Sequence, residues 1–130
     1  MAINEIKLPG ITETAQQNDN EIFYAMKPAP LIKGGTVAKI GAGLIIQSGQ
    51  VMSRLTAVGV NQGKLEPYTG AGGQVAVCVL QLGVSTVAAD QLGSVVFGGV
   101  LKLNKLIGLD AAAITALGGT VDSVMGFFKF

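Results

Sequence analysis

The chain contains no histidine, no tryptophan and a single cysteine among 130 residues. Without histidine it lacks the side chain that most often serves as general base or metal ligand near neutral pH. One cysteine, Cys78, excludes both a disulfide framework and a cysteine-rich zinc site. Charge is equally sparse, at 13 % of residues and a net +1, so there is no basic stripe for nucleic acid and no basic amphipathic helix for a membrane surface. Long hydrophobic runs are missing too. The longest uncharged stretch, residues 67–89, carries Pro67, Gln74, Gln81, Ser85 and four glycines. A spanning helix needs about 20 predominantly apolar residues. The first residues resemble no signal peptide, because Glu5 and Lys7 interrupt them and Pro9-Gly10 follows.

What is abundant is small and apolar. Hydrophobic residues reach 49 % although aromatics supply only 5 %, and there are 19 glycines. A domain of this size leaves much of its surface exposed, so that excess of Ala, Val, Leu and Ile points to burial against other chains.

Residues 1–33 differ from the rest. The stretch 12–20 is polar and aperiodic, and Pro28-Ala29-Pro30 reads as an extended connector. The region reads as an N-terminal arm ordered by a partner. Its apolar islands, Ile6, Leu8, Ile11 and Ile22-Phe23-Tyr24, are candidate partner-binding residues; a packed edge strand over Ile22–Met26 is the alternative. Residues 34–130 read as a single β-rich domain. Candidate strands are Thr36–Ile40, Leu44–Ile46 and Val51–Val58, the last joined through Asn61-Gln62-Gly63 to Lys64-Leu65-Glu66. Val75–Leu82 is apolar on both faces and predicts a central strand. Residues 84–93 read as a loop containing Asp90. Val95–Leu103 predicts a strand with Val95, Phe97, Leu101 and Leu103 on one face. Asp110 predicts the N-cap of a short helix over Ala111–Leu117 that stops at Gly118 and docks through Ile114 and Leu117. Thr120–Phe130 predicts a final strand. The fold class is therefore mainly β, a barrel- or clip-like domain with one short C-terminal helix and an extended N-terminal arm.

The catalytic inventory is poor. The carboxylates are scattered, Gly41-Ala42-Gly43 lacks a third dinucleotide glycine, and Gly70-Ala71-Gly72-Gly73 lacks the Lys-Ser/Thr of a phosphate loop. Cys78 sits mid-strand among Val and Leu and reads as a structural thiol. The sole arginine, Arg54, together with Phe97, Phe127, Phe128 and Phe130, makes up the candidate oligomer interface. No cofactor, metal or small-molecule substrate is expected.

Five segments resemble, in order, the lambda-type head decoration proteins of tailed phages. They are residues 48–56 beginning Ser48-Gly49-Gln50-Val51, then Gly63-Lys64-Leu65-Glu66-Pro67-Tyr68, residues 74–80, Val95–Leu103, and the helix segment 109–117. The resemblance covers residues 40–130, and residues 1–33 align with nothing in it. It implies a β-clip-like homotrimer on the outer surface of the expanded capsid, in contact with the major capsid protein, in a virion assembled in the host cytoplasm. Two alternatives stand beside it, another oligomeric phage component (tail or fibre) and a small-ligand-binding β-barrel. An enzyme on a trimeric clip scaffold would need clustered Asp with Ser or Arg motifs, which the sequence lacks, so no enzyme is expected.

Overall fold

The computed structural model describes residues 22–25, 29–122 and 125–128. Ten strands appear among them. They are β1 (Phe23–Ala25), β2 (Leu31–Val37), β3 (Ile45–Ile46), β4 (Val51–Arg54), β5 (Leu65–Pro67), β6 (Ala76–Leu80), β7 (Val84–Ser85), β8 (Gln91–Lys102), β9 (Thr120–Val121) and β10 (Met125–Phe128). One α-helix, α1 (Ala111–Ala116), and a 3-10 turn at Leu103–Lys105 complete the described elements. The β-rich class with one short helix is as the sequence predicts.

Five strands close a barrel. β8 pairs antiparallel with β2 and with β6, β2 pairs parallel with β5, and β4 joins β5 to β6 by antiparallel ladders. Closure leaves these strands without free edges. The barrel interior is filled by Val37, Met52, Leu65, Cys78, Leu80 and Val95, with Ile46 at one end. A second core lies outside the wall formed by β4, β6 and β8. There Val51, Val79, Val96 and Leu101 meet Ile22, Phe23, Ala113, Leu117 and Phe128.

Burial on both faces makes β6 the central strand that its doubly apolar pattern predicts, but the alternation is not simple. Met52 pairs with Cys78 and Ser53 with Ala76, so Val77 is an extra, unpaired residue. This bulge turns Ala76 to the outer core while Val77 and Cys78 both face the interior. The same device corrects the prediction for β8. Val95 and Phe97 pack on the interior side, whereas Leu101, expected on their face, belongs to the outer core. The cause is an irregularity at Phe97-Gly98-Gly99. β2 skips Phe97 in its register, and Gly99 sits at φ +145 with Pro30 so close that a Cβ would lie 3.1 Å from the proline's own. Only glycine adopts that backbone readily. Beyond it β8 leaves the barrel and pairs with β1 on one side and β10 on the other.

Several boundaries shift for tertiary reasons. The arm boundary predicted at residue 33 falls inside β2, and Phe23–Ala25 already form a strand on β8. Residues 84–93, read as a loop, contain β7 and the start of β8. The predicted final strand is a hairpin, β9 against β10. Leu103 lies in the 3-10 turn and not in the strand. The helix is capped as predicted, with the Ala113 N–H donating to Asp110 Oδ1 at 2.8 Å and Gly118 at φ +67. It docks through Ala113 and Leu117, while Ile114 is only half-buried.

Candidate interaction surface

The residues predicted to bind partners divide into two groups. Ile22 and Phe23 are not displayed on an arm. Both are buried in the outer core, and the Lys102 N–H donates to the Ile22 carbonyl at 2.8 Å. Phe128, expected at an oligomer interface, is only 3 % exposed in the same core. These three side chains meet around Leu101 because β1 and β10 flank the same end of β8. Apolar side chains buried there stabilise the fold by about 1.5–3 kcal/mol each, and they have no surface left for another chain. Phe97 is half-buried, with the Lys33 Nζ 5.6 Å from its ring centroid. The Phe127 backbone pairs with Val100. Tyr24 and Arg54 are exposed, and Arg54 Nη1 donates to the Gly63 carbonyl at 2.8 Å. Ile6, Leu8, Ile11 and Phe130 lie outside the described residues.

The exposed apolar side chains are elsewhere, and two places stand out. The first is the tip of the β4–β5 hairpin, where Val58 is 92 % and Val60 88 % exposed. Val58, predicted as the end of a strand, lies beyond it, because β4 stops at Arg54 and residues 55–64 form the connection. The alternation Val58-Gly59-Val60 ahead of Asn61-Gln62-Gly63 was the available sign of a loop. That connection is held firmly. The Gly63 N–H donates to the Leu55 carbonyl and the Leu55 N–H to the Lys64 carbonyl, both at 2.8 Å. Asn61 and Gly59 carbonyls accept from the Lys64 and Gln62 N–H groups.

A polar clasp ties the hairpin to the barrel. Asp90 accepts from the Lys39 N–H at 2.7 Å and from Lys64 Nζ at 2.5 Å. These donors hold the Asp90 carboxyl below its ordinary value, the backbone N–H of Lys39 most and the Lys64 ammonium next.

The second place is a groove of about 350 Å³ at the opposite end of the same hairpin. It is lined by Leu44, Ile45, Ile46, Gln50, Pro67 and Ile107, and no charged residue contributes. Ile45 is 79 % exposed. Gly49 builds this end. At φ +91 its backbone approaches residues 105–107 so closely that a Cβ would strike the Lys105 carbonyl oxygen. The Ile107 N–H donates to the Gly49 carbonyl and the Val51 N–H to the Ile107 carbonyl, each at 2.9 Å. Gln50 Nε2 donates to the Val51 and Ile107 carbonyls at 3.0 and 3.2 Å. Ile107 is thereby fixed at the groove.

Cys78 is fully buried inside the barrel. Burial pushes its thiol up to about 12, against a smaller opposing effect of the Arg54 charge. The reactive thiolate is therefore disfavoured at neutral pH, as expected for a structural thiol. Among the described residues no three His, Cys, Asp or Glu side chains gather where they would hold a metal ion, and no helix is long and apolar enough to cross a membrane. No family model matches the chain, and neither any curated protein nor any solved structure proves significantly similar to it.

Proposed function

We propose that this chain is a non-enzymatic phage structural protein, a head decoration subunit that binds as homotrimers to the outside of an expanded capsid and reinforces it. The observation that carries the reading is a well-packed small barrel that leaves large, uncharged apolar side chains at its extremities, at Val58, Val60, Ile45 and Leu92. Such positions favour protein partners over water. The order of the five family-like segments over residues 40–130 supports the capsid as that partner. The filled barrel interior weighs against the ligand-binding barrel, which would need a cavity with inward polar groups. A trimer engaging three capsid sites gains avidity, and a ligand that binds only the intact shell stabilises it by mass action.

Co-sedimentation with undecorated expanded capsids tests the proposal, beside the same protein lacking residues 1–20. The deletion stops short of Ile22 and Phe23, so the outer core survives and the melting temperature should barely change. The full chain should pellet with capsids and the shortened one should not, if the segment containing Ile6, Leu8 and Ile11 adds to a capsid sheet edge. A full chain that stays in the supernatant would sink the decoration role. Normal pelleting by the shortened chain would remove the role assigned to that segment.

A further inference from the structure

We infer that the hairpin tip of one copy seats in the apolar groove of a second copy, a head-to-tail contact through Val58 and Val60 on one side and Ile45 and Ile107 on the other. The inference rests on the self-associating subunit proposed above and names its contact.

Three features lead to it. First, the tip is built for display. Six hydrogen bonds, four within the backbone, one from Arg54 and one from Lys64 to Asn61, order a connection whose two apolar side chains touch almost nothing of their own chain. Ordering a loop in advance lowers the entropy lost when it binds. The Lys64–Asp90 clasp fixes its direction.

Second, the groove matches the tip in chemistry. Residues 57–62 carry no charge, and neither does the groove lining. Insertion would bury no ionised side chain of the tip itself, with charge only at its base, on Arg54 and Lys64, which donate to Gly63 and Asn61. The groove volume of about 350 Å³ suits a few small side chains better than a long apolar segment.

Third, the two halves cannot meet within one chain. The groove takes Gln50 and Pro67, at the base of the hairpin, and the four residues of β4 separate that base from the tip. At the rise of an extended strand they alone span about 13 Å. A knob and a hole at opposite ends of one subunit make a heterologous contact. Such contacts close into a ring when the rotation between copies permits, and otherwise continue as a filament. A closed ring of three agrees with the homotrimer.

Two separate substitutions, Val60→Cys and Ile45→Cys, each adding one exposed thiol, test the contact, because the native Cys78 is buried and does not compete. Oxidised separately, each variant should stay at monomer mass on a denaturing gel. Mixed, they should give a dimer band that reductant removes. Analytical ultracentrifugation of a Val58→Asp/Val60→Asp protein should then show monomer where the unaltered protein associates, with an unchanged melting temperature because both positions are exposed. If the unaltered protein associates but mixed oxidation yields no crosslink and the aspartates leave association intact, the tip–groove contact is wrong and self-association stands. If the unaltered protein is monomeric at every accessible concentration and mixed oxidation yields no crosslink, the tip–groove contact fails, while pelleting with capsids decides the decoration role separately.

Discussion

Asp110 links two structures, and removing its carboxylate should cost more than an ordinary helix cap. Its Oδ1 accepts from the Ala113 N–H at 2.8 Å. The Tyr68 hydroxyl donates to the same carboxylate, 3.1 Å from Oδ1 and 3.3 Å from Oδ2. Tyr68 is a buried member of the outer core at the end of β5, so the bond ties the barrel wall to the helix that covers it. Asp110→Ala loses the cap, about 0.5–2 kcal/mol. It also takes the carboxylate acceptor from the tyrosine hydroxyl. Asp110 is exposed, so water can take its place and the loss is that of an ordinary hydrogen bond, about 0.5–1.5 kcal/mol more. The sum is about 1–3.5 kcal/mol. Tyr68→Phe removes the donor and leaves the cap, about 0.5–1.5 kcal/mol. Asp110→Asn keeps an acceptor in place and should be nearly neutral, since Asn caps as well as Asp.

The double variant should be milder than the two single losses added, because the hydrogen bond they share is lost only once. A coupling of about 0.5–1.5 kcal/mol is expected from urea unfolding of the four proteins. Alkaline titration offers an independent check. Burial first, and the Asp110 hydrogen bond and charge next, raise the Tyr68 phenol above its ordinary 10.0. A folded value raised above the unfolded one contributes stability that is complete below about pH 10 and fades as pH climbs through the folded value. That alkaline loss should vanish in Tyr68→Phe. Additive losses in the cycle, together with an identical alkaline profile, would refute the coupling of cap to barrel.

Three other outcomes are expected. Leu117→Ala should destabilise by about 2–5 kcal/mol, and half-buried Ile114→Ala by clearly less, in the same urea assay; equal effects would mean the helix docks through another face. Gly49→Ala should lower stability by at least about 3 kcal/mol, since a residue at φ +91 is strained and its Cβ meets backbone that cannot turn aside; a soluble, equally stable variant would contradict the crossing at residues 105–107. The lowered Asp90 carboxyl contributes stability that is present above the ordinary carboxylate value of 3.8 and is lost as pH falls through its folded value, so thermal unfolding between pH 5 and 2.5, a range of roughly that titration, should fall less steeply for Asp90→Asn than for the unaltered protein.

The division between sequence and structure follows the range of the forces involved. Local chemistry was legible. A carboxylate before three alanines and a glycine after Leu117 predict both ends of a short helix over Ala111–Leu117, and the helix runs over Ala111–Ala116, because both ends are settled by neighbouring backbone groups. The run Val75–Leu82, apolar on both faces, predicts a strand covered on both sides, and β6 within it is one. The low charge and absent histidine restricted the chemistry before any fold was known.

Other features were decided only when distant segments met. Alternation along β6 and β8 is broken at Val77 and at Phe97-Gly98-Gly99, where a partner strand skips a residue. A period of two cannot reveal this, since the skip belongs to the pair and not to either strand. Ile22, Phe23 and Phe128 looked available to other chains because each lies near an end of the sequence. They are buried because β1 and β10 converge on the two sides of β8, about eighty residues from the first and about thirty from the second by number. Conversely, Val58, predicted as the last residue of a strand, stands exposed with its neighbour Val60, because β4 ends at Arg54 and the connection beyond it has nothing left to cover it. The sequence determined which side chains exist in excess of what a small core can bury. Only the closure of the barrel decided which of them were left outside.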